Sequence, residues 1–154
     1  MAMMAADGVF VDTNVLVYVS RSRGPHFEAA QARLTALEAL SCPIWISWQV
    51  LREYLAVVTR DQAGQSAMPM ANALEDVARL QQSFEIALET PGVFNRLTLL
   101  LATLPGSGKQ VHDANVVATM LVHGIDTVVT INLHDFARFA RQVRLIGLGA
   151  AGLA

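Results

Sequence analysis

Short apolar runs recur along the chain, separated by longer segments in which apolar residues follow a helical period. Such runs are typical of strands that are buried on both faces of a parallel sheet. They predict strands at Val9–Val11, Pro43–Ser47, Phe84–Leu88, Thr127–Thr130 and Val143–Ile146. Strands that alternate with helices predict an α/β fold, here a single-domain α/β/α sandwich around a central, mostly parallel sheet of about five strands.

The segments between the strands carry helix signals at their ends. Asp12 and Ser47 each follow a predicted strand, in a position suited to cap the next helix, and Gly124 stands where a helix is expected to end. Helices are predicted at Val15–Tyr18, His26–Leu40, Trp48–Val58, Met70–Gln82, Val93–Leu104 and Val111–His123, with a helical turn over Asp135–Ala140. The domain is expected to span residues 8–147, between flexible termini at 1–7 and 148–154.

The composition is that of one domain that does not attract nucleic acid through bulk charge. The chain has 154 residues, of which 53% are hydrophobic and 16% charged. Its 11 Lys and Arg stand against 13 Asp and Glu, a net charge of −2 at pH 7, so any nucleic acid must be held locally. Lys109 is the single lysine, and the remaining basic residues are arginines, which favour bidentate recognition of phosphate or carboxylate.

Cysteine usage and hydrophobicity bear on compartment and partners. Cys42 is the single cysteine, so we expect no internal disulfide and no cysteine-based zinc site, as in a cytoplasmic protein. The N-terminal residues lack the regions of a signal peptide, and no apolar run approaches the roughly 20 residues of a membrane span. Because apolar residues are many and charges few, we expect another chain to cover part of the surface, in a homodimer or with a different partner.

Three acidic residues stand in apolar surroundings, where solubility does not explain them. Asp12 ends the first strand, at the carboxyl edge where open α/β sheets bind ligands. Glu53 and Asp113 each have mainly apolar neighbours three and four positions away on their predicted helices, and Asp113 is expected in the first turn. We expect the three carboxylates to converge at one edge of the sheet.

Converging carboxylates need a positive partner. They repel one another in a partly dry cleft, where an unpaired charge costs several kcal/mol. Arg52 is next to Glu53 in sequence but points about 100° away around the helix, so it is poorly placed to neutralise this acid. Mg²⁺ or Mn²⁺ fits better, because these ions prefer carboxylate oxygens and water and hold phosphate in their remaining positions.

Four short segments occur in a recognisable order along the chain. They are Val11-Asp12-Thr13-Asn14-Val15-Leu16, Arg52-Glu53, His112-Asp113-Ala114 and Thr130-Ile131-Asn132-Leu133-His134-Asp135-Phe136. In order and spacing they resemble the motifs of PIN-domain ribonucleases, and especially of the VapC-type toxins of prokaryotic toxin–antitoxin pairs. The resemblance runs from about Val9 to Ile146, and it implies a PIN-like fold and a Mg²⁺- or Mn²⁺-dependent endoribonuclease.

The resemblance implies a ligand set for the metal. The family's metal ligands correspond to Asp12, Glu53 and Asp113, which are therefore the candidate catalytic residues. The family's fourth acidic position falls at Asn132, which keeps an oxygen acceptor but loses the charge. The resemblance therefore implies a site with one metal, or with a second metal that is weakly held.

Other positions of the motifs correspond to supporting residues. Asp135 resembles the second acid of the last motif and is expected to orient a water, a metal or Thr130. Thr13 and Thr130 resemble hydroxyls that support the metal ligands, and Asn14 resembles a residue that holds the strand-to-helix turn. Asn and Asp are also ordinary turn residues, so a turn role stays open at Asn132 and Asp135.

The same resemblance implies that the protein has RNA and protein partners. Two bound Mg²⁺ would bring the formal charge from −2 to +2, and arginines around the cleft would clamp phosphates. The candidates are Arg21, Arg23, Arg52, Arg138, Arg141 and Arg144. VapC-type toxins are usually homodimers silenced by a small cognate antitoxin whose C-terminal segment covers the cleft.

Plain structural interpretations stay open at this stage. Asp12 suits a helix cap, and Asp113 suits a first-turn acid that the helix dipole favours. In the structural interpretation of Glu53, its side chain extends to solvent or pairs with Arg52 or Arg60.

Two alternative functions also remain open. A strand-ending Asp is the nucleophile of haloacid-dehalogenase-type phosphatases, but that chemistry generally uses a second Asp two residues on, where Asn14 stands. Asn132 is compatible with a catalytically weakened domain that only binds RNA or a partner. The segment Gly106–Lys109 lacks the first Gly and the final Ser or Thr of a phosphate-binding loop, so it is not interpreted as one.

Overall fold

The structure is a computed structural model that describes residues 8–21 and 24–149. Over these residues it has five β-strands and seven α-helices. The strands are β1 (Val9–Val11), β2 (Ile44–Ile46), β3 (Glu85–Ile86), β4 (Thr127–Val129) and β5 (Arg144–Ile146). The helices are α1 (Thr13–Ser20), α2 (Pro25–Ala39), α3 (Trp48–Val58), α4 (Met70–Ser83), α5 (Pro91–Thr103), α6 (Lys109–Val122) and α7 (Leu133–Phe136), followed by a 3₁₀ turn at Ala137–Phe139.

The strands form one parallel sheet in the order β3-β2-β1-β4-β5. The chain steps outward from β1 to β2 and β3, and then crosses back to the other side of β1 to form β4 and β5. The order therefore reverses between β1 and β4. In open α/β sheets, ligands bind in the crevice at the carboxyl ends of the strands at such a switch point.

The central strand β1 and its neighbour β4 are buried, which is why their residues are almost all apolar. Phe10, Val11, Val128 and Val129 have no exposed surface. The main helix contacts fall into two groups: α1 packs on α2 and α3, and α3 on α4, whereas α5 packs on α6. Because parallel crossovers are right-handed, these groups cover opposite faces of the sheet, and the predicted α/β/α architecture is confirmed.

The ends of several elements differ from their predicted positions. Helix α6 begins at Lys109 rather than Val111, directly after Gly108, whose φ is +55°. Asp113 is therefore the fifth residue of α6 and lies in its second turn, so the prediction of a first-turn acid was wrong. The helical turn predicted from Asp135 starts at Leu133 and passes into the 3₁₀ turn.

Both ends of the chain and one short internal segment lie outside the described residues. Residues 1–7 and 150–154, for which flexible termini are predicted, lie outside the described residues, and so does Arg23. Gly149 is described, and its carbonyl accepts a hydrogen bond from Arg33 of α2. No helix among the described residues is long and apolar enough to cross a membrane.

Candidate active site

A cavity of about 680 Å³ opens at the carboxyl ends of β1 and β4, at the switch point of the sheet. Asp12, Glu53 and Asp113 all line it. They come from the end of β1, from the second turn of α3 and from the second turn of α6, so three segments that are distant in sequence converge at this edge. Thr13, Asn14, Asn132, Arg21 and Arg52 also line the cavity.

Asp12 is held rigidly at the end of β1. Its backbone N–H donates to the carbonyl of Val129 at 3.0 Å, which continues the β1–β4 ladder by one residue. Its Oδ1 accepts from the backbone N–H of Thr13 at 2.8 Å, and its Oδ2 accepts from the hydroxyl of Thr130 at 2.8 Å. Asp12 is thus a helix cap, as one interpretation predicted, but it also lines the cavity with lone pairs left on both oxygens.

The carboxyl group of Asp12 is buried, and the described part of the chain gives it no basic partner. The ion pairs within residues 8–21 and 24–149 are Arg52–Glu89, Asp76–Arg79 and Lys109–Asp135, and none of them includes Asp12, Glu53 or Asp113. Burial raises the pKa of Asp12 from 3.8 to about 6, against the lowering effect of its hydrogen bonds from Thr130 and Thr13. The charges of Glu53 and Asp113 raise it further.

Glu53 is held by two neutral donors. Its Oε2 accepts from the hydroxyl of Thr13 at 2.9 Å, and its Oε1 accepts from Nε2 of Gln49 at 2.9 Å. Arg52 contacts Glu89 at 3.4 Å instead, so the geometry agrees with the expectation that Arg52 does not neutralise Glu53. The hydroxyl of Thr13 therefore supports the candidate ligand Glu53, and the backbone N–H of the same residue supports Asp12.

Asp113 lies next to the one lysine of the chain. Burial raises the pKa of Asp113, the nearby ammonium of Lys109 lowers it, and the charges of Asp135 and Glu53 raise it. Nζ of Lys109 donates to Oδ2 of Asp135 at 2.9 Å, a contact between the start of α6 and α7. This hydrogen bond holds the pKa of Asp135 below its usual value and raises that of Lys109.

Among the described residues, Asp135 does not contact Thr130, which was one of the three partners that the motif suggested for it. Asp135 binds Lys109, whereas Thr130 donates to Asp12 and accepts from the backbone N–H of Asn132 at 3.0 Å. The side chain of Asn132 lines the cavity and makes no capping hydrogen bond to α7. Asn14 connects α1 to the segment that follows β4, because its Oδ1 accepts a hydrogen bond from the backbone N–H of Ile131 at 3.2 Å.

The candidate RNA-binding arginines occupy different surroundings. Arg21 and Arg52 line the cavity; Arg21 also donates to Gln65 and, at 3.4 Å, to the carbonyl of Val57. Arg138 donates to the carbonyls of Leu104 and Pro105 at 2.8 and 2.5 Å, which fixes the loop after α5. Arg141 and Arg144 are exposed near β5, away from the cavity lining.

The donor set of the cavity fits a hard divalent cation. Asp12, Glu53, Asp113 and Asn132 offer only oxygen acceptors or an amide, which Mg²⁺ and Mn²⁺ prefer. Within the described residues, no three His, Cys, Asp or Glu side chains have the spacing to hold a metal ion among them as they stand. Mg²⁺ does not require this, because it commonly takes one or two carboxylates and keeps several waters. The unneutralised carboxyl of Asp12 is the observation that favours a cation here.

Three polar residues of the cavity lining are absent from the candidate residues that the sequence indicates. Lys109 lines the cavity, although its sequence context resembles only an incomplete phosphate-binding loop. Gln49 is buried and bridges α3 and α6, with 6% of its surface exposed. Arg60 also lines the cavity but was considered only as a partner of Glu53.

The chain matches a known protein family over most of its length. The family model for the PIN domain matches residues 9–142. Ribonuclease VapC24 of Mycobacterium tuberculosis is 28% identical over 135 residues, which cover 84% of this chain and 89% of that protein.

Solved structures share the fold at lower identity. VapBC2 from Rickettsia felis, in a complex with a DNA fragment from its promoter, has a TM-score of 0.69 at 18% identity and covers 90% of this chain and 97% of its own. VapC20 of Mycobacterium tuberculosis, described as a sarcin-ricin loop cleaving toxin, has a TM-score of 0.64 at 19% identity. Its match covers 84% of this chain and 94% of its own.

Proposed function

Because this chain belongs to the PIN domain family, we propose that it is a divalent-metal-dependent endoribonuclease that hydrolyses RNA phosphodiester bonds. One observation carries the proposal: Asp12 is buried beside Glu53 and Asp113 with no basic partner among the described residues. A buried charge in that position is stabilised when a cation binds. The 28% identity to a ribonuclease over most of the chain supports RNA as the substrate.

Asp12, Glu53 and Asp113 would hold Mg²⁺ or Mn²⁺, directly or through water, with Asn132 as a neutral acceptor beside them. When bound, such an ion activates water for attack on phosphorus and offsets charge on the phosphoryl oxygens. Thr130 and Thr13 keep the carboxyl groups of Asp12 and Glu53 oriented, since their hydroxyls donate to these groups at 2.8 and 2.9 Å. No side-chain nucleophile is needed for this chemistry.

Basic residues on the cavity wall would receive the RNA backbone. Arg21, Arg52, Arg60 and Lys109 line the same cavity as the carboxylates. Phosphate contacts position RNA without reading its bases, so these residues contribute affinity rather than sequence preference. Lys109 stands beside Asp113, and its ammonium is the candidate contact to the scissile phosphate or an adjoining one.

Cleavage of a defined RNA tests the proposal. Purified protein is incubated with labelled RNA in Mn²⁺, in Mg²⁺ and in EDTA, in parallel with Asp113→Asn. Because Asp113 is half-buried and the described part of the chain gives it no ion pair, this variant is expected to fold and to lose cleavage. Cleavage in EDTA, or full activity of Asp113→Asn, contradicts the proposal.

The same samples separate the two alternatives. A phosphatase of the haloacid dehalogenase type would form a trappable phosphoenzyme at Asp12, which a hydrolytic nuclease does not. A weakened domain, the alternative that Asn132 motivates, would bind RNA equally well in EDTA and in Mn²⁺ and would cut it in neither.

We further propose that the protein is a toxin whose activity a small antitoxin suppresses, and that it forms a homodimer in the cytoplasm. Several similar structures are toxin–antitoxin complexes, including those from Klebsiella pneumoniae and Rickettsia felis. Large apolar side chains are more than half exposed on α4 and α5, namely Met70, Leu74, Phe94 and Leu99, which is compatible with covered surfaces. Light scattering on the isolated protein tests the dimer, and inhibition of RNA cleavage by the product of an adjacent short reading frame tests the antitoxin.

A further inference from the structure

A pair of amide side chains connects α3 to α6 beside the candidate metal ligands. Gln49 lies one turn before Glu53 on α3, and its Nε2 donates both to Oε1 of Glu53 at 2.9 Å and to the backbone carbonyl of His112 at 3.0 Å. Its Oε1 accepts from Nδ2 of Asn115 at 2.6 Å. We call Gln49 and Asn115 the amide clasp. It joins the helix that carries Glu53 to the helix that carries Asp113.

The clasp permits only one orientation of the Gln49 amide. Both acceptors near Nε2, a carboxylate and a carbonyl, require a donor, and the group near Oε1 is an amide N–H₂ that requires an acceptor. A rotated amide would place its oxygen against two oxygens and its nitrogen against another nitrogen. Because Gln49 is 6% exposed, water cannot readily compensate for these losses.

The clasp opposes the electrostatic forces in the cavity. Glu53 and Asp113 carry like charges, each of which raises the pKa of Asp12, so the two acids repel each other. Gln49 donates both to Glu53 and to the backbone carbonyl of His112, the residue that precedes Asp113. It therefore fixes the rotamer of Glu53 and limits the separation of α3 and α6 when no cation is present.

We propose that the amide clasp of Gln49 and Asn115 is a positioning device for the metal site, which holds Glu53 in a ligating orientation relative to Asp113. The inference rests on the proposed function, because it assumes that these acids bind a divalent ion. Neither clasp residue belongs to the motifs noted in the sequence. Partners that orient a metal ligand typically influence metal affinity by about 10- to 100-fold.

The test compares Gln49→Met with a matched control, Thr119→Val. Methionine has nearly the length of glutamine but no hydrogen-bond donor. Thr119 is fully buried on α6, and its hydroxyl donates to the carbonyl of Asn115 at 2.8 Å, so Thr119→Val removes a buried hydrogen bond nearby without changing the side-chain contacts of Glu53. Mn²⁺ affinity is measured by electron paramagnetic resonance of free Mn²⁺, and thermal unfolding and RNA cleavage are measured on the same samples.

We expect Gln49→Met to weaken Mn²⁺ binding by about 10- to 100-fold and to lower kcat with little change in KM for RNA. Thr119→Val is expected to lower the unfolding temperature while it keeps the wild-type Mn²⁺ affinity. Equal Mn²⁺ affinities for Gln49→Met and wild type overturn the inference. Wild-type protein that neither binds Mn²⁺ nor cuts RNA overturns the proposed function instead.

A second variant keeps the inference testable if Gln49→Met does not fold. Asn115→Ala leaves both hydrogen bonds from Nε2 of Gln49 in place and removes only the N–H group that donates to its Oε1. Its Mn²⁺ affinity is expected to fall by about fivefold, the equivalent of one neutral hydrogen bond. Wild-type affinity in Asn115→Ala contradicts a role for the clasp.

Discussion

Asp12 is expected to reduce the stability of the metal-free protein, so that its removal makes the fold more stable while it abolishes activity. Burial raises the pKa of Asp12 from 3.8 to about 6. At roughly 1.4 kcal/mol for each pH unit, this difference corresponds to about 3 kcal/mol at neutral pH. The penalty arises because the ionised carboxyl group is less favourable in the folded protein than in the unfolded chain.

Asp12→Asn removes this charge with little change of shape. The amide oxygen still accepts from the backbone N–H of Thr13, and the amide nitrogen faces the hydroxyl of Thr130, which can accept instead of donating. We therefore expect the variant in EDTA near pH 7.5 to exceed wild type in free energy of unfolding by up to about 3 kcal/mol. Urea denaturation followed by tryptophan fluorescence measures the difference.

The pH dependence of that difference identifies its origin. Below pH 3.8 Asp12 is protonated in both states and carries no penalty. As the pH rises toward 6, the unfolded chain ionises first, so wild type loses stability across this window and the variant does not. With Mn²⁺ at about 100 times its Kd, wild type should regain about 2.7 kcal/mol and the variant almost nothing. A variant that is less stable than wild type in EDTA, or a difference independent of pH, refutes this reasoning.

Three further substitutions test other parts of the account. Lys109→Met should raise KM for RNA and reduce the slope of log affinity against log salt by about 0.7 to 0.9, as for one lost phosphate contact, whereas an unchanged slope would remove Lys109 from the RNA interface. Thr130→Val leaves Oδ2 of Asp12 and a backbone N–H without their partner, so unfolding free energy should fall by about 1 to 3 kcal/mol; wild-type stability in a urea titration would contradict these contacts. Tyr54→Phe removes a buried hydroxyl that donates to Asp76 at 2.7 Å. The free energy of unfolding should fall by about 1 kcal/mol, and RNA cleavage should be unchanged. A reduced kcat in this variant would mean that the site is not confined to the cavity described.

The sheet was predictable because its central strands are buried on both faces. Parallel strands under helices have no polar side, so β1 appears in the sequence as the apolar segment Val9–Val11 and β4 as a threonine followed by two valines. The start of α6 was less predictable. Lys109 and Gln110 are polar, so apolar periodicity begins only at Val111, although the helix begins two residues earlier, at Lys109.

The three carboxylates were predictable because each is an acid in an apolar context. Their convergence follows from topology, since the ends of parallel strands and the beginnings of the following helices meet at one edge. All three line one cavity, whereas their role as metal ligands remains a prediction. So do the roles assigned to Asn132, Asp135 and the arginines.

The amide clasp and the lysine contact were not predictable from local pattern. Gln49 contacts residues 63 and 66 positions away, and Lys109 contacts an acid 26 positions away. A glutamine in the first turn of a helix carries no periodic signal that separates a buried bridge from a solvated side chain. These contacts depend on how α3, α6 and α7 pack, which tertiary structure alone determines.

Anomalous diffraction from crystals grown with Mn²⁺ tests most directly whether the acids of this cavity share a divalent cation. We expect a manganese peak at the carboxyl ends of β1 and β4, in contact with an oxygen of Asp12 and with Glu53 or Asp113 bound directly or through one water. A manganese peak elsewhere, or none in this cavity while Lys109 or an arginine contacts Asp12, would contradict it.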